Sequence, residues 1–271
     1  MCAFGGVVAE DTKHSYRELE LLDAIRRVGG FAKNSDLAGA LGVSEETVRR
    51  TIKSLSKSGA VARVHGGAYL VGTQSDPSFF RRIEQYAREK RMVAKALVRD
   101  VADGMTLFLD VGSTTAFVAE ELRARGKLSI TTNSVQVAQT LVGHNDNRVY
   151  LLGGEMQVDE LGAFGHVAEQ QARNFCYDLA VLSADALHPK YGFLYLNRAE
   201  ADLASVVIDC ADTTVVAMTH HKFGAKAPHQ SFLPEKIDHV VVDQMPDRIL
   251  ARQMSSWGIT LVSDHKELLE C

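Results

Sequence analysis

A chain of 271 residues, 46% hydrophobic and 24% charged, is long enough for one small and one larger domain, each with its own core. No apolar run approaches bilayer-spanning length and no basic region precedes a long apolar stretch at the N-terminus, which argues against membrane partners and secretion and for the cytoplasm. The four cysteines (Cys2, Cys176, Cys210, Cys271) share no short spacing and the adjacent His220 and His221 point in different directions, so neither a disulfide framework nor a metal site is expected.

In chain order, Leu21, Ile25 and Val28 mark an amphipathic helix. Leu37, Ala40 and Leu41 mark a short second helix opened by Asn34 or Ser35, and Gly42 turns the chain into a third. Ser44 is the expected N-cap of that third helix, with Glu45 and Glu46 in the first turn where the helix dipole favours negative charge. Val48, Ile52 and Leu55 give it an apolar face, and Gly59 stops it in a left-handed cap. Its other face carries Thr47, Arg49, Arg50, Lys53 and Lys57. Residues 61–64 and 68–71 flank His65-Gly66-Gly67 and read as a small β-hairpin. Three short helices with a basic third, followed by a hairpin, are the parts of a winged helix-turn-helix whose recognition helix enters the major groove of double-stranded DNA. Between Val43 and Leu70 cations outnumber carboxylates by three, whereas the whole chain carries a net charge of −4, so the basic charge is local. Arg49, Arg50 and Lys53 are the expected DNA contacts, with Ser44 and Thr47 near the bases and Arg63 and His65 in the wing.

Residues 73–78 are polar and include Pro77, which fits a domain boundary. The spacing thus divides the chain into a DNA-binding domain over 1–72, a linker and connecting helix over 73–104, and a larger domain over 105–271. The connecting helix is expected to run from Phe80 to Val101. Beyond Met105, short apolar runs at 106–109, 128–132, 149–152, 179–183, 214–218, 239–242 and 260–262 alternate with amphipathic stretches at 116–124, 135–142, 167–175, 199–210 and 248–255. This βαβ rhythm predicts a Rossmann-like, mostly parallel α/β sheet that binds ligands outside the carboxyl ends of its strands.

Informative residues therefore lie in the turns after strands. Asp110-Val111-Gly112-Ser113-Thr114-Thr115 leaves a strand, passes a glycine and hydroxyls, and opens a helix, an arrangement suited to phosphate. Thr132-Asn133-Ser134 follows the next strand and offers amide and hydroxyl groups to a polyol; Gly153-Gly154 permits close backbone approach after a third, and Lys222-Phe223-Gly224 adds a cation. Neither the dinucleotide nor the nucleoside-triphosphate glycine motif occurs, and no cofactor is expected.

With these residues in hand, the chain resembles the DeoR family of bacterial transcriptional regulators over nearly its whole length. The N-terminal resemblance rests on Leu37-Ala38, Val43-Ser44, Thr47-Val48-Arg49-Arg50, Leu55, Gly59 and His65-Gly66-Gly67-Ala68. The C-terminal one rests on residues 110–115, 132–134 and 152–154 with Gly165, Asp178, Glu200 and Lys222-Phe223-Gly224. The resemblance implies a sensor domain that looks like ribose 5-phosphate isomerase and a repressor of a carbohydrate catabolic operon, released by a phosphorylated sugar and acting as a homodimer or homotetramer. It further implies that Asp110, Asn133 and Glu200 bond sugar hydroxyls while Gly112, Ser113, Thr114, Thr115 and Lys222 hold the phosphate. Three departures stand out: Thr219 replaces a carboxylate common in the family, Ala204 replaces a lysine, and Thr51 replaces an aspartate. The first two touch the implied pocket and leave room for a ligand other than a sugar phosphate. A rival reading is a sugar-phosphate isomerase with an appended DNA-binding domain, using Asp110, Asp185 or Glu200 as base, since Ser183-Ala184-Asp185-Ala186 resembles an isomerase segment. A third makes the larger domain an oligomerisation module.

Overall fold

The computed structural model describes residues 15–27, 31–64, 66–70 and 78–263, and the chain divides into two compact units, Met1–Phe80 and Arg81–Cys271. Val28, His65 and residues 71–77, all invoked above, lie outside the described residues.

The first unit runs α1 (Tyr16–Arg27), β1 (Phe31–Lys33), α2 (Asn34–Leu41), α3 (Glu45–Lys57), β2 (Val61–Val64) and β3 (Gly67–Leu70). Its core holds most of the predicted apolar stripes: Leu21, Ile25, Leu37, Val48, Ile52 and Leu55 are buried together with Val61 and Ala68, while of the α2 stripe Leu41 is partly buried and Ala40 faces solvent. Gly42 (φ 64°) makes the left-handed turn between α2 and α3, and Ser44 Oγ accepts the Thr47 N–H at 3.2 Å to cap α3. Ser54 Oγ donates to Glu18 Oε1 at 2.6 Å and ties α3 to α1. Two details differ from the sequence expectation. Helix α2 begins at Asn34 as expected, but the residue at its N-cap is Lys33, which supplies no side-chain cap. The hairpin also gains a third strand, with order β1-β3-β2, because three residues before α2 pair with β3. A three-residue strand is too short to show alternation in sequence.

Helix α4 (Ser78–Glu84) spans the boundary between the units and is followed by α5 (Ala87–Val98). The single helix expected over 80–101 is broken because Tyr86 adopts φ 56°, a left-handed conformation that ends one helix and starts the next. Lys90 Nζ braces the elbow by donating to the carbonyl oxygens of Arg82 and, at 2.7 Å, Gln85.

The rest of the second unit follows as β4 (Thr106–Leu109), α6 (Ser113–Leu122), β5 (Ser129–Thr132), α7 (Val135–Leu141), β6 (Arg148–Leu151), β7 (Glu155–Gln157), β8 (Gly162–Phe164), α8 (His166–Ala172), β9 (Leu179–Leu182), β10 (Ala186–His188), β11 (Gly192–Tyr195), α9 (Arg198–Ile208), β12 (Thr214–Met218), β13 (His229–Gln230), β14 (His239–Val242), α10 (Arg248–Ser256) and β15 (Thr260–Ser263). Seven strands form one parallel sheet of order β15-β14-β12-β9-β4-β5-β6, and these are the seven apolar runs read from the sequence. Strand periodicity sorts their side chains to two faces. Leu107, Leu109, Val181 and Val215 pack under α5, α6 and α7, while Phe108, Ala180, Leu182 and Val216 pack under α8, α9 and α10. At the amino ends of strands, Asp178 Oδ2 accepts the Thr106 N–H at 2.7 Å and Asp238 Oδ2 accepts the Thr214 N–H at 2.8 Å. The hairpin β7–β8 and the small sheet β10-β11-β13 were not legible in the sequence. Among the described residues no helix is long and apolar enough to cross a membrane.

Leu55, fully buried at the centre of the first unit, supplies a stability test. Leu55→Ala is expected to destabilise that unit by about 2–5 kcal/mol. Thermal melting should show an earlier transition for the first unit while the second unit's transition stays in place.

Candidate functional site

Helix α3 presents its cations to solvent: the side chains of Arg49 and Arg50 are 57% and 81% exposed, and Lys53 and Arg63 are also exposed. Arg49 pairs with Glu45 at 3.2 Å and Glu46 at 3.8 Å, and Arg50 with Glu46 at 3.5 Å. Exposed helical pairs of this kind contribute a few tenths of a kcal/mol, so a phosphate or base edge displaces them at small cost (roughly 0.3–0.5 kcal/mol each). The Ser44 and Thr47 hydroxyls stand 2.9 Å apart, both engaged at the cap, at the end of the helix where the expected base contacts lie. His65 lies outside the described residues.

In the second unit, chain order along the sheet reverses between β4 and β9, and such a reversal leaves a crevice at the carboxyl ends of the two strands. A cavity of about 290 Å³ opens there. Gly112, Ser113 and Thr114 line it from the turn into α6; Ser183 and Asp185 from the chain after β9; Thr219, His221 and Lys222 from the chain after β12; and Glu200 from α9. Gly112 (φ 126°) caps α6 without a side chain, leaving the first-turn N–H groups free of a side-chain acceptor. A Cβ there would come within 3.1 Å of Ser183 Oγ, a tight approach, so glycine is favoured by conformation first and by space second.

The eight residues expected to hold a ligand thus fall into two groups. Gly112, Ser113, Thr114, Glu200 and Lys222 line the cavity, and Asp110, Thr115 and Asn133 do not. Asp110 is buried and accepts the Val111 N–H at 2.8 Å and the Ser183 N–H at 3.3 Å, which fixes the wall from behind. Thr115 donates to Gly112 O at 2.9 Å. Asn133 is fully buried, and neither atom of its amide has a partner among the described residues.

Burial dominates the electrostatics. It pushes Asp110 up to about 7 against the pull of the Ser183 and Val111 N–H groups. It also holds Glu200 well above the usual carboxylate range, with Glu160, Asp185 and Asp110 adding like charge. Burial lowers Lys222, whose amine donates to Ala184 O, although Asp185 opposes the shift. Lys90 is pushed down to about 7 by burial and by the neighbouring Lys222 and Arg82. Burial pulls Arg82 down, but the carboxylates around it, Glu160 first, then Glu200 and Asp185, together hold it above its ordinary value.

Sequence reading missed Arg82, Tyr86 and Lys90, which also line the cavity, because a single continuous helix was expected there. The pairing of Tyr86 with His221, stacked at 3.5 Å between centroids, had no sequence signal at all. His220 Nδ1 lies 2.6 Å from Asp243 Oδ2, so the carboxylate nearest this turn comes from the end of β14 rather than from position 219. Among the described residues no group of three or more His, Cys, Asp or Glu is placed to hold a metal ion.

Comparison with known proteins agrees with both halves. Residues 17–74 match the DeoR-like helix-turn-helix domain, and residues 85–244 match the DeoR C terminal sensor domain. The glycerol-3-phosphate regulon repressor of Escherichia coli (strain K12) is 26% identical over 234 residues, covering 86% of this chain and 92% of that protein. The HTH-type transcriptional regulator GlpR of Haloferax volcanii is 29% identical over 244 residues, covering 88% and 95%. A ribose 5-phosphate isomerase solved with phospho-erythronic acid overlays with a TM-score of 0.38 at 20% identity, covering 51% of this chain and 54% of that one, too loosely to bear on the chemistry here. With one domain of the family matched across the first unit and the other across more than half of the chain, the protein belongs to the DeoR family of transcriptional regulators, a DNA-binding helix-turn-helix joined to a sensor domain.

Proposed function

We propose that the protein is a cytoplasmic repressor that binds operator DNA through α3 and the wing and is released when a small phosphorylated sugar or polyol enters the cavity of the second unit. The observation that carries this reading is the cavity itself, whose lining brings together the start of α6, which has no side-chain cap, the cation Lys222 and the carboxyl groups of Glu200 and Asp185. Phosphoryl oxygens suit N–H groups at a helix start, while carboxyl groups suit hydroxyls. Its volume sits at the small end of ligand pockets, as a three- to six-carbon effector requires. The likeness to a repressor named for the glycerol-3-phosphate regulon favours the same chemical class. A twofold assembly, dimer or tetramer, would match a symmetric operator. The effector must bind the DNA-incompetent arrangement more tightly, because only differential affinity shifts the equilibrium.

We read the cavity as a receptor rather than a catalyst. Asp110 is engaged by Ser183 and is not among the residues lining the cavity, and Asp185 and Glu200, which do line it, are read as acceptors for ligand hydroxyls. The domain limits proposed are 1–72 and 105–271, joined by 73–104.

Fluorescence anisotropy on DNA from upstream of the protein's own gene, titrated with a panel of sugar phosphates, tests the reading; specific binding relieved by one compound is expected. Arg50→Ala should weaken operator binding by about 1–3 kcal/mol if the side chain pairs with a base, and unchanged affinity would remove it from the interface. Lys222→Ala should leave ligand-free DNA binding intact and blunt release, whereas loss of both would make Lys222 a folding residue. Asp110 has its own signature in pH. Between the ordinary aspartate range and about pH 7 the folded state holds a proton that the unfolded chain has released, so stability falls as pH rises through that window. Asp110→Asn should therefore raise the melting temperature at pH 8 and change it little at pH 5; equal shifts at both would show that the carboxyl titrates normally.

A further inference from the structure

The cations of the cavity are not equivalent. The Lys90 amine donates to the backbone carbonyls of Arg82 and Gln85, and the Lys222 amine donates to that of Ala184 and keeps further donors for a ligand; among the described residues neither is paired with a carboxylate that a ligand would have to displace. Arg82 is different. One Nη2 donates to Glu160 Oε2, Nη1 reaches Asp185 only at 4.0 Å, and buried Nε has no acceptor among the described residues. A guanidinium presents a planar fork that fits two oxygens of one anion, and here a single carboxylate oxygen fills part of it. It lines the cavity in which the α6 start also lies.

We propose that Arg82 is the exchangeable cation of the sensor: a phosphoryl group arriving in the cavity takes its guanidinium from Glu160, and that exchange reports occupancy to α4. This deepens the reading of the cavity as a phosphorylated-effector site and rests on it. The geometry gives the exchange a direction. Glu160 engages the fork through one oxygen and leaves the Arg82 Nε without an acceptor among the described residues, and burial raises its carboxyl above the ordinary range while Arg82 opposes that shift. An anion bearing several oxygens, with α6 N–H groups beside it, offers the guanidinium a better match. The report is local because Arg82 lies on α4, the helix in which the chain passes from the first unit to the second. Lys90 clamps the carbonyls of Arg82 and Gln85, and Tyr86 is held in its left-handed conformation against the His221 ring. A displacement of the Arg82 side chain therefore loads a braced elbow instead of dissipating in a loose loop.

The test titrates the full chain with inorganic phosphate by calorimetry and follows hydrogen exchange of the α4 amides. Arg82→Gln should weaken phosphate by about tenfold or more, and Glu160→Gln should tighten it several-fold by removing the competitor. Phosphate should alter α4 exchange in the wild type, Glu160→Gln alone should alter it in the same sense, and Arg82→Gln should abolish the response. Should Arg82→Gln fail to fold, Glu160→Gln carries the test, since a merely structural ion pair predicts weaker rather than tighter phosphate binding when it is broken. Phosphate binding that Arg82→Gln leaves unchanged would overturn the inference and leave the effector site standing. Absence of phosphate binding to the wild type would overturn both.

Discussion

The second unit depends on one constraint, the reversal of chain order between β4 and β9. Strands β4, β5 and β6 build outward in one direction, and β9, β12, β14 and β15 build outward in the other. Chain leaving β4 and chain leaving β9 must therefore part, and the gap between them cannot be closed by either connection. Every cavity residue from the sheet is placed by this parting. The turn after β4 brings the start of α6, the chain after β9 brings Ser183 and Asp185, and the chain after β12 brings Thr219 and Lys222. The apolar strands that force the sheet to be covered on both faces thus also decide where polar groups gather.

That gathering is costly, and the cost is distributed. Asp110, Glu160 and Glu200 are carboxyl groups for which burial disfavours charge, set among three cations. Backbone N–H groups from Val111 and Ser183, and the Arg82 guanidinium, offset part of it. Asn133, with its amide unpartnered, bears a cost that nothing in the described residues offsets. Strain and unsatisfied polar groups of this sort collect where a protein must respond to something small.

How much of this was legible in the sequence depended on the range of the signal. The α3 stripe Val48, Ile52, Leu55, the Ser44 cap and the Gly42 turn are local, and each was readable because period and cap chemistry act within a few residues. The seven sheet strands were readable as buried apolar runs. The turn Gly112–Thr114 was readable for the same reason, since a glycine and hydroxyls between strand and helix carry their own geometry. Arg82 and Lys90 were not, because what makes them cavity residues is a non-glycine left-handed residue at Tyr86, a conformation its side chain does not announce. That Asp110 and Thr115 sit behind the cavity lining, bonded to Ser183 and Gly112, was not legible, because sequence distinguishes residue type but not which side of a wall a side chain occupies.

Glu46 in α3 is shared between Arg49 and Arg50. A carboxylate there pairs weakly with both guanidinium groups along their own helix, and its charge opposes that of an approaching phosphate. On DNA of arbitrary sequence, bound as proposed through α3, the phosphate backbone would supply attraction and the Glu46 charge would subtract from it. A residue that lowers affinity for all DNA would then be one that shortens each visit to the wrong sequence, and the time saved would be search time.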